Sequence, residues 1–219
     1  MSTAAIIVAA GTSRRMGFDK LLAPLDGEPV LKHSIKAFAS TPEICEIIVV
    51  CPEDRFNQLG LSDLSIPVSR VDGGSDRHNS VYNGIKALTS DAQLISVHDG
   101  ARPLISPQQI EKTIIAASQF GAATSAKRIV DTVKRSDDQG VVVAAVDRDN
   151  LWAMETPQIF KRELLQKAYE AVESSGSLVT DEVSALELIG VATHLVENNT
   201  PNIKITFPQD IQLAEKLRS

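Results

Sequence analysis

Short, unbroken apolar runs, each trailed by a helical pattern, restrict this chain to few folds. Ala4-Ala5-Ile6-Ile7-Val8, Ile47-Ile48-Val49-Val50 and Leu94-Ile95-Ser96-Val97 are β-prone and lack the polar alternation of a strand with one face in water. Such strands are buried on both faces. Helical patterns over 29–39, after Pro52, over 77–88 and over 107–120 separate them and further strands near Val68 and from Ala122, with Ser106 and Pro107 placed to start the last helix. This βαβα rhythm predicts an α/β fold, a mostly parallel sheet with helices on both faces. Later segments predict a strand near 157–160, helices from Lys161 and Asp181, a strand over 193–197 and a last helix after Pro208.

The rhythm breaks at 129–146. There Ile129-Val130-Asp131-Thr132-Val133 and Val141-Val142-Val143-Ala144-Ala145-Val146 flank an acidic, glycine-containing turn, Ser136 to Gly140, which is the signature of a β-hairpin. A two-stranded hairpin is unstable alone in water. It therefore packs either on a second subunit or along an edge of its own sheet.

The first strand runs into Ala9-Ala10-Gly11-Thr12-Ser13-Arg14-Arg15-Met16-Gly17, closed by Lys20. Small residues let backbone N–H groups approach a ligand, while guanidinium and ammonium groups meet phosphate oxygens. That combination suits a polyphosphate, although a solvated strand-to-helix turn uses the same residue types. Neither the Walker phosphate loop nor the dinucleotide Gly-x-Gly-x-x-Gly is present. A second strand ends in His98-Asp99-Gly100-Ala101-Arg102-Pro103, placing a carboxylate where open α/β sheets bind ligands. Beside a polyphosphate, Asp99 is placed to hold Mg²⁺, which takes few carboxylates and completes its shell with phosphates and water. The alternative is that Asp99 caps a turn and pairs with Arg102, and the arginine-rich first loop favours the metal role. Gly73-Gly74-Ser75-Asp76-Arg77 opens a helix whose N-terminus favours anions, or is a plain loop with Asp76 at the helix start. Thr180-Asp181-Glu182 reads as a helix N-cap with acids in the first turn. The four histidines form no catalytic constellation, and no Gly-x-Ser-x-Gly elbow accompanies them.

A length of 219 residues suits a single domain, 1–219, with the hairpin arm at about 129–150. The formal charge of −6 argues against a nucleic-acid partner, so anion recognition must be local. No apolar run is long enough for a bilayer, and a cytoplasmic, non-membrane protein is expected. Cys45 and Cys51 bracket a strand, about 20 Å apart, beyond disulfide reach, and read as thiols in a reducing compartment.

Taken together in this order, these segments resemble the 2-C-methyl-D-erythritol 4-phosphate cytidylyltransferase family over essentially the whole chain. The resemblance is carried by Ala9-Ala10-Gly11 with Arg14-Arg15-Met16 and Lys20, by Val97 to Pro103, and by Asp147-Arg148 through Thr156-Pro157-Gln158. Thr180-Asp181-Glu182 and Asn202-Ile203-Lys204 add to it. It implies a Rossmann-like nucleotidyltransferase fold whose protruding β-hairpin is a dimerisation arm, with CTP, Mg²⁺ and a methylerythritol phosphate as ligands. By resemblance, Arg15 and Lys20 are catalytic. Arg148 and Lys204 hold the second substrate's phosphate, and Asp131, Thr132, Asp181 and Arg102 belong to its site. Ala9, Ala10, Gly11, Gly74, Ser80 and Gly100 frame the cytidine, with Asp99 at the metal. Ser75 and Gly100 depart from the residues many relatives carry. A ribitol-5-phosphate cytidylyltransferase shares the fold and first loop, but the Asp147–Trp152 and Thr180–Glu182 segments favour the methylerythritol enzyme. A non-catalytic nucleotide-binding regulator has less need of both Arg15 and Lys20.

Overall fold

The computed structural model describes residues 1–12 and 16–218. In chain order the elements are β1 (Thr3–Val8), a short pair β2 (Pro24–Leu25) and β3 (Glu28–Pro29), α1 (Val30–Ala39), β4 (Ile44–Val50) and α2 (Glu53–Asn57). Then come β5 (Val68–Val71), α3 (Arg77–Ala87), β6 (Leu94–Asp99), α4 (Pro107–Phe120), β7 (Ala122–Arg128), β8 (Val133–Ser136) and β9 (Val142–Val146). The chain closes with β10 (Trp152–Lys161), α5 (Arg162–Ser175), α6 (Glu182–Glu187), β11 (His194–Glu197) and α7 (Gln209–Arg218).

Seven strands form one sheet in the order β11-β7-β10-β6-β1-β4-β5. Only β10 runs against its neighbours, so the sheet is mostly parallel. Consecutive residues of β1 explain the missing polar alternation. Ala5 and Ile7 belong to one buried cluster, with Leu31, Ile35 and Phe38 of α1 and Ile110 of α4, whereas Ile6 belongs to another, with Val81 and Ile85 of α3 and Tyr169 of α5. Each face of the strand has its own helical layer.

Helix α4 forms where local signals predict it. The Ser106 hydroxyl accepts from the Gln109 N–H, Pro107 occupies the first turn, and Gly121 at φ 90° ends the helix in the left-handed region. Two strands differ from expectation. β10 begins at Trp152 rather than near 157, and its pairing with β7 breaks between Met154 and Gln158, around a proline that has no N–H to give the ladder. The hairpin's first strand begins at Val133, not Ile129. The Ile129 N–H bonds the Leu151 carbonyl at 3.1 Å and Arg148 donates to the Val130 carbonyl, so this stretch ties the arm to its base. β8 and β9 pair with each other and form a sheet of their own, not an edge of the large one. Among the described residues, no helix is long and apolar enough to cross a membrane.

Candidate active site

The chain leaves β1 towards β4 on one side and returns to β6 on the other. This reversal opens a crevice beyond the carboxyl ends of β1 and β6, where Val8 lies opposite Asp99. A cleft of about 670 Å³ occupies it, a volume suited to a nucleotide-sized ligand. Ala9, Ala10, Gly11 and Thr12 wall it on one side, and Gly74, Ser75, Asp76 and Ser80 on another. Lys20, Arg77, Asp99 and Lys204, with Asp76, are its charged residues.

The glycines before α3 are required by close approach. A Cβ on Gly73 would lie 2.4 Å from Ala10 Cβ, and one on Gly74 would lie 2.4 Å from Asn79 Cβ. The Ser80 hydroxyl fixes this turn, accepting from the Gly74 N–H and donating to the Asp76 carbonyl, both at 3.0 Å. Asp76 occupies the N-cap position without a side-chain cap bond.

Asp99 is the electrostatic centre. Its Oδ2 accepts from Lys204 Nζ at 2.7 Å, and its Oδ1 from Arg77 Nη2 at 3.3 Å, while Arg102 Nε lies 3.8 Å from Oδ2. Burial works to raise the Asp99 pKa, but Arg77, Lys204 and Arg102 outweigh it and hold the carboxyl well below the usual carboxylate range. Asp99 thus pairs with Arg102 and also lines the cleft. Lys20 Nζ reaches the Ile205 carbonyl at 2.7 Å, which places the two lysines on neighbouring parts of the rim. Ile205 is anchored in the core and its N–H bonds the Ala101 carbonyl at 2.8 Å, leaving Lys204 turned outward.

A model of the family described as 2-C-methyl-D-erythritol 4-phosphate cytidylyltransferase (IspD) matches residues 3–218. The chain belongs to this family. A cytidylyltransferase of that name from Alkaliphilus oremlandii is 39% identical over 98% of this chain and 94% of its own length. A chloroplastic one from Oryza sativa is 36% identical over 99% of this chain and 74% of its own. Among solved structures, the 4-diphosphocytidyl-2C-methyl-D-erythritol synthase of Anaerococcus prevotii superposes with a TM-score of 0.87 at 32% identity, covering 98% of this chain and 95% of that one. The Francisella tularensis cytidylyltransferase gives 0.84 at 31% identity, covering 99% and 100%.

Several residues behind the family resemblance turn out to support the cleft from behind. The Thr156 hydroxyl accepts from the Asp99 N–H at 3.0 Å and contacts His98 Nδ1 at 3.0 Å. Burial pushes His98 down to about 3, so its ring stays neutral, and Nε2 faces the Arg102 carbonyl. Gln158 Oε1 accepts from the Glu182 and Val183 N–H groups, while Nε2 donates to Asp181 Oδ2 at 3.0 Å. Asp181 itself caps α6, accepting from the Ser184 N–H. Glu182, expected only as a first-turn acid, is fully buried. It binds Arg77 Nη1 at 2.7 Å and accepts from the Tyr169 hydroxyl at 3.0 Å. Arg77 thus links Asp99 to α6 across 105 residues of sequence, a pairing with no local signal.

Of the predicted site residues, Ala9, Ala10, Gly11, Lys20, Gly74, Ser80, Asp99 and Lys204 share the cleft. Arg102 stands behind it, donating to the Asn202 carbonyl at 2.8 Å. Gly100 faces the core, where a Cβ would lie 2.6 Å from Leu31 Cδ1, and Ala101 takes the lining position. Asp131, Thr132 and Arg148 are exposed on the arm, away from the chain's own cleft. Arg15 lies outside the described residues.

Among the described residues, no cluster of three or more His, Cys, Asp or Glu side chains forms a protein cage for a metal. Of the two carboxylates that line the cleft, Asp76 and Asp99, the buried Asp99 is the one that would suit a hard cation drawing its remaining oxygens from phosphates and water.

Proposed function

We propose that the chain transfers the cytidylyl group of CTP to 2-C-methyl-D-erythritol 4-phosphate, releasing pyrophosphate and 4-diphosphocytidyl-2-C-methyl-D-erythritol, a step of isoprenoid biosynthesis. The observation that carries this reading is one cleft in which the small-residue loop, Lys20, Asp99 and Lys204 converge, in a chain the family model matches from residue 3 to 218.

The nucleophile is a phosphate oxygen, already anionic, so the site needs no general base. The obstacles are repulsion between two anions and charge gathering on the attacked phosphorus. Fixed cations at both ends answer them, by positioning and electrostatic stabilisation. Lys20 and Arg15 act on the α-phosphoryl group. Lys204 and Arg148 hold the phosphate of the acceptor, with Asp131, Thr132 and Asp181 beside its polyol and Arg102 steadying Asp99 from behind. Ala9, Ala10, Gly11, Gly74 and Ser80 frame the cytidine, while Gly100 faces the core and leaves the lining position to Ala101. Mg²⁺, held by Asp99, would neutralise phosphate charge.

The arm's exposed valines and the distance of Arg148 from its own cleft support a homodimer in which the arm reaches a partner. We read 1–219 as one nucleotidyltransferase domain carrying that arm. The free thiols Cys45 and Cys51, the latter pushed up to about 11 by burial, suit a reducing compartment such as the cytoplasm.

Purified protein supplied with CTP, Mg²⁺ and the methylerythritol phosphate is expected to release pyrophosphate. Release only with ribitol 5-phosphate assigns the other acceptor, and CTP binding without release under either acceptor leaves a nucleotide-binding regulator.

A further inference from the structure

The loop that walls the cleft is gripped from beneath by a residue outside the cleft. Arg55, on α2, is only 8% exposed, an unusual burial for a cation. Its guanidinium spends its donors on both ends of the loop between β1 and β2. Nη1 donates to the Ala9 carbonyl and Nη2 to the Gly11 carbonyl at 3.2 Å, while Nε donates to Asp19 Oδ2 at 2.7 Å. The other Asp19 oxygen accepts from the Leu21 N–H at 3.0 Å, and the Asp19 carbonyl accepts from Leu22 and Ala23. Asp19 is therefore the hinge of the turn that carries Lys20.

We infer that Arg55 is a positioning residue for the reaction, setting both the backbone donors of the loop and the ammonium of Lys20 against the nucleotide's phosphates. A trans peptide points each carbonyl opposite to the next N–H. With the Ala9 and Gly11 carbonyls turned onto the guanidinium, the N–H groups of Ala10 and Thr12 point away from it, in the stretch that walls the cleft. The same rigid fork fixes Asp19 and, through it, the turn that holds Lys20. A planar guanidinium can serve three acceptors in two directions at once; a lysine ammonium at this depth cannot reproduce that fork. Small misplacement of charge near reacting atoms is costly, on the order of a hundredfold in rate for about 1 Å.

The inference rests on the CTP reading above, and a double-mutant cycle tests it separately. Arg55→Lys should lower kcat about 10- to 100-fold with the KM of the polyol phosphate unchanged. In a Lys20→Ala background the same change should cost at least about threefold less than it does in the parent, because one of the two groups it positions is gone. Asp19→Asn, which cuts the link to the Lys20 turn but leaves both carbonyl contacts, should show the same non-additivity and serves if Arg55→Lys does not fold. Calorimetric titration with CTP alone should show weaker binding in Arg55→Lys than in the parent. Equal losses in both backgrounds, or equal rises in KM for both substrates, overturn the inference by making Arg55 a general folding staple. A parent that binds CTP without releasing pyrophosphate overturns the catalytic reading instead, and the calorimetric comparison then decides whether Arg55 sets the loop.

Discussion

Lys20 and Glu46 show how differently two charged residues serve this fold. Lys20 sits at the rim with its ammonium on the Ile205 carbonyl, a contact a phosphate oxygen can replace. Its charge matters most when the attacked phosphorus carries more negative charge than in bound CTP, so its removal should fall on turnover rather than on binding. Lys20→Ala is expected to lower kcat by on the order of a hundredfold or more, roughly 3 kcal/mol, with a smaller rise in the KM for CTP. Steady-state kinetics with intact kcat and only a raised KM would remove Lys20 from the transition state. Glu46 lies buried in β4, far from that chemistry, and binds the loop before β6. Its carboxylate accepts from the Thr89 and Ser90 N–H groups and from the Thr89 hydroxyl. Burial works to raise its pKa, but these donors prevail and lower it. A carboxyl depressed in the folded state stabilises the protein above its unfolded value and loses that contribution as pH falls through the folded one. Glu46→Gln should therefore cost about 2 kcal/mol at pH 7, because an amide group would face N–H donors, and should flatten the stability curve below about pH 4.5. Thermal melts from pH 7 to pH 3 measure both effects. Identical acid slopes in parent and variant would assign the acid sensitivity to other carboxylates.

The β8–β9 arm is the element through which the proposed dimer is tested. It pairs with nothing in the large sheet, yet Val130, Val141, Val142 and Val143 are each more than half exposed. A hairpin of that composition needs a covering surface. Val142→Asp with Val143→Asp should shift the sedimenting species from a dimer to the 23.6 kDa monomer. The main thermal transition measured on the monomer should stay cooperative, since the seven-stranded sheet does not include the arm. A variant that sediments like the parent removes the arm from the interface. Elements differ in how far the sequence discloses them, for physical reasons. α4 is legible to the residue because its start and stop are local: a serine cap, a first-turn proline and a left-handed glycine. The first residue of β8 is not, because 129–132 is as β-prone as a strand and is diverted by contacts with Leu151 and Arg148 that lie distant in sequence. β10 is half hidden because Pro157 interrupts the ladder that continues on either side of it. In the cleft, Asp99 and the small-residue loop can be read from their strand ends. Arg77, Glu182 and Arg55 cannot, since each acts through a partner at least 22 residues away.

At the scale of the molecule, the role proposed for Arg148 bears on how many chains make one site. Lys20 lines the cleft of its own chain, whereas Arg148 sits at the base of the arm, exposed, bonded to the Val130 carbonyl and absent from the cleft wall. A phosphate held between Lys204 and Arg148 of the same chain would require the arm to fold back. A phosphate held by Lys204 of one chain and Arg148 of a partner requires only a two-fold axis that lays each arm across the other's cleft. In that arrangement a heterodimer of Lys20→Ala and Arg148→Ala subunits has one site with both lesions and one with neither. Each mutant homodimer carries a lesion in both of its sites. Co-expression of differently tagged mutants, followed by tandem purification of the mixed species, should then recover about half of the parental pyrophosphate release per dimer, by the symmetry of the assembly. If each chain completed its own site, the mixed dimer would carry a lesion in both sites and would be no more active than the single mutants. The half-activity result is the expected one, because the arm has no resting place on its own sheet.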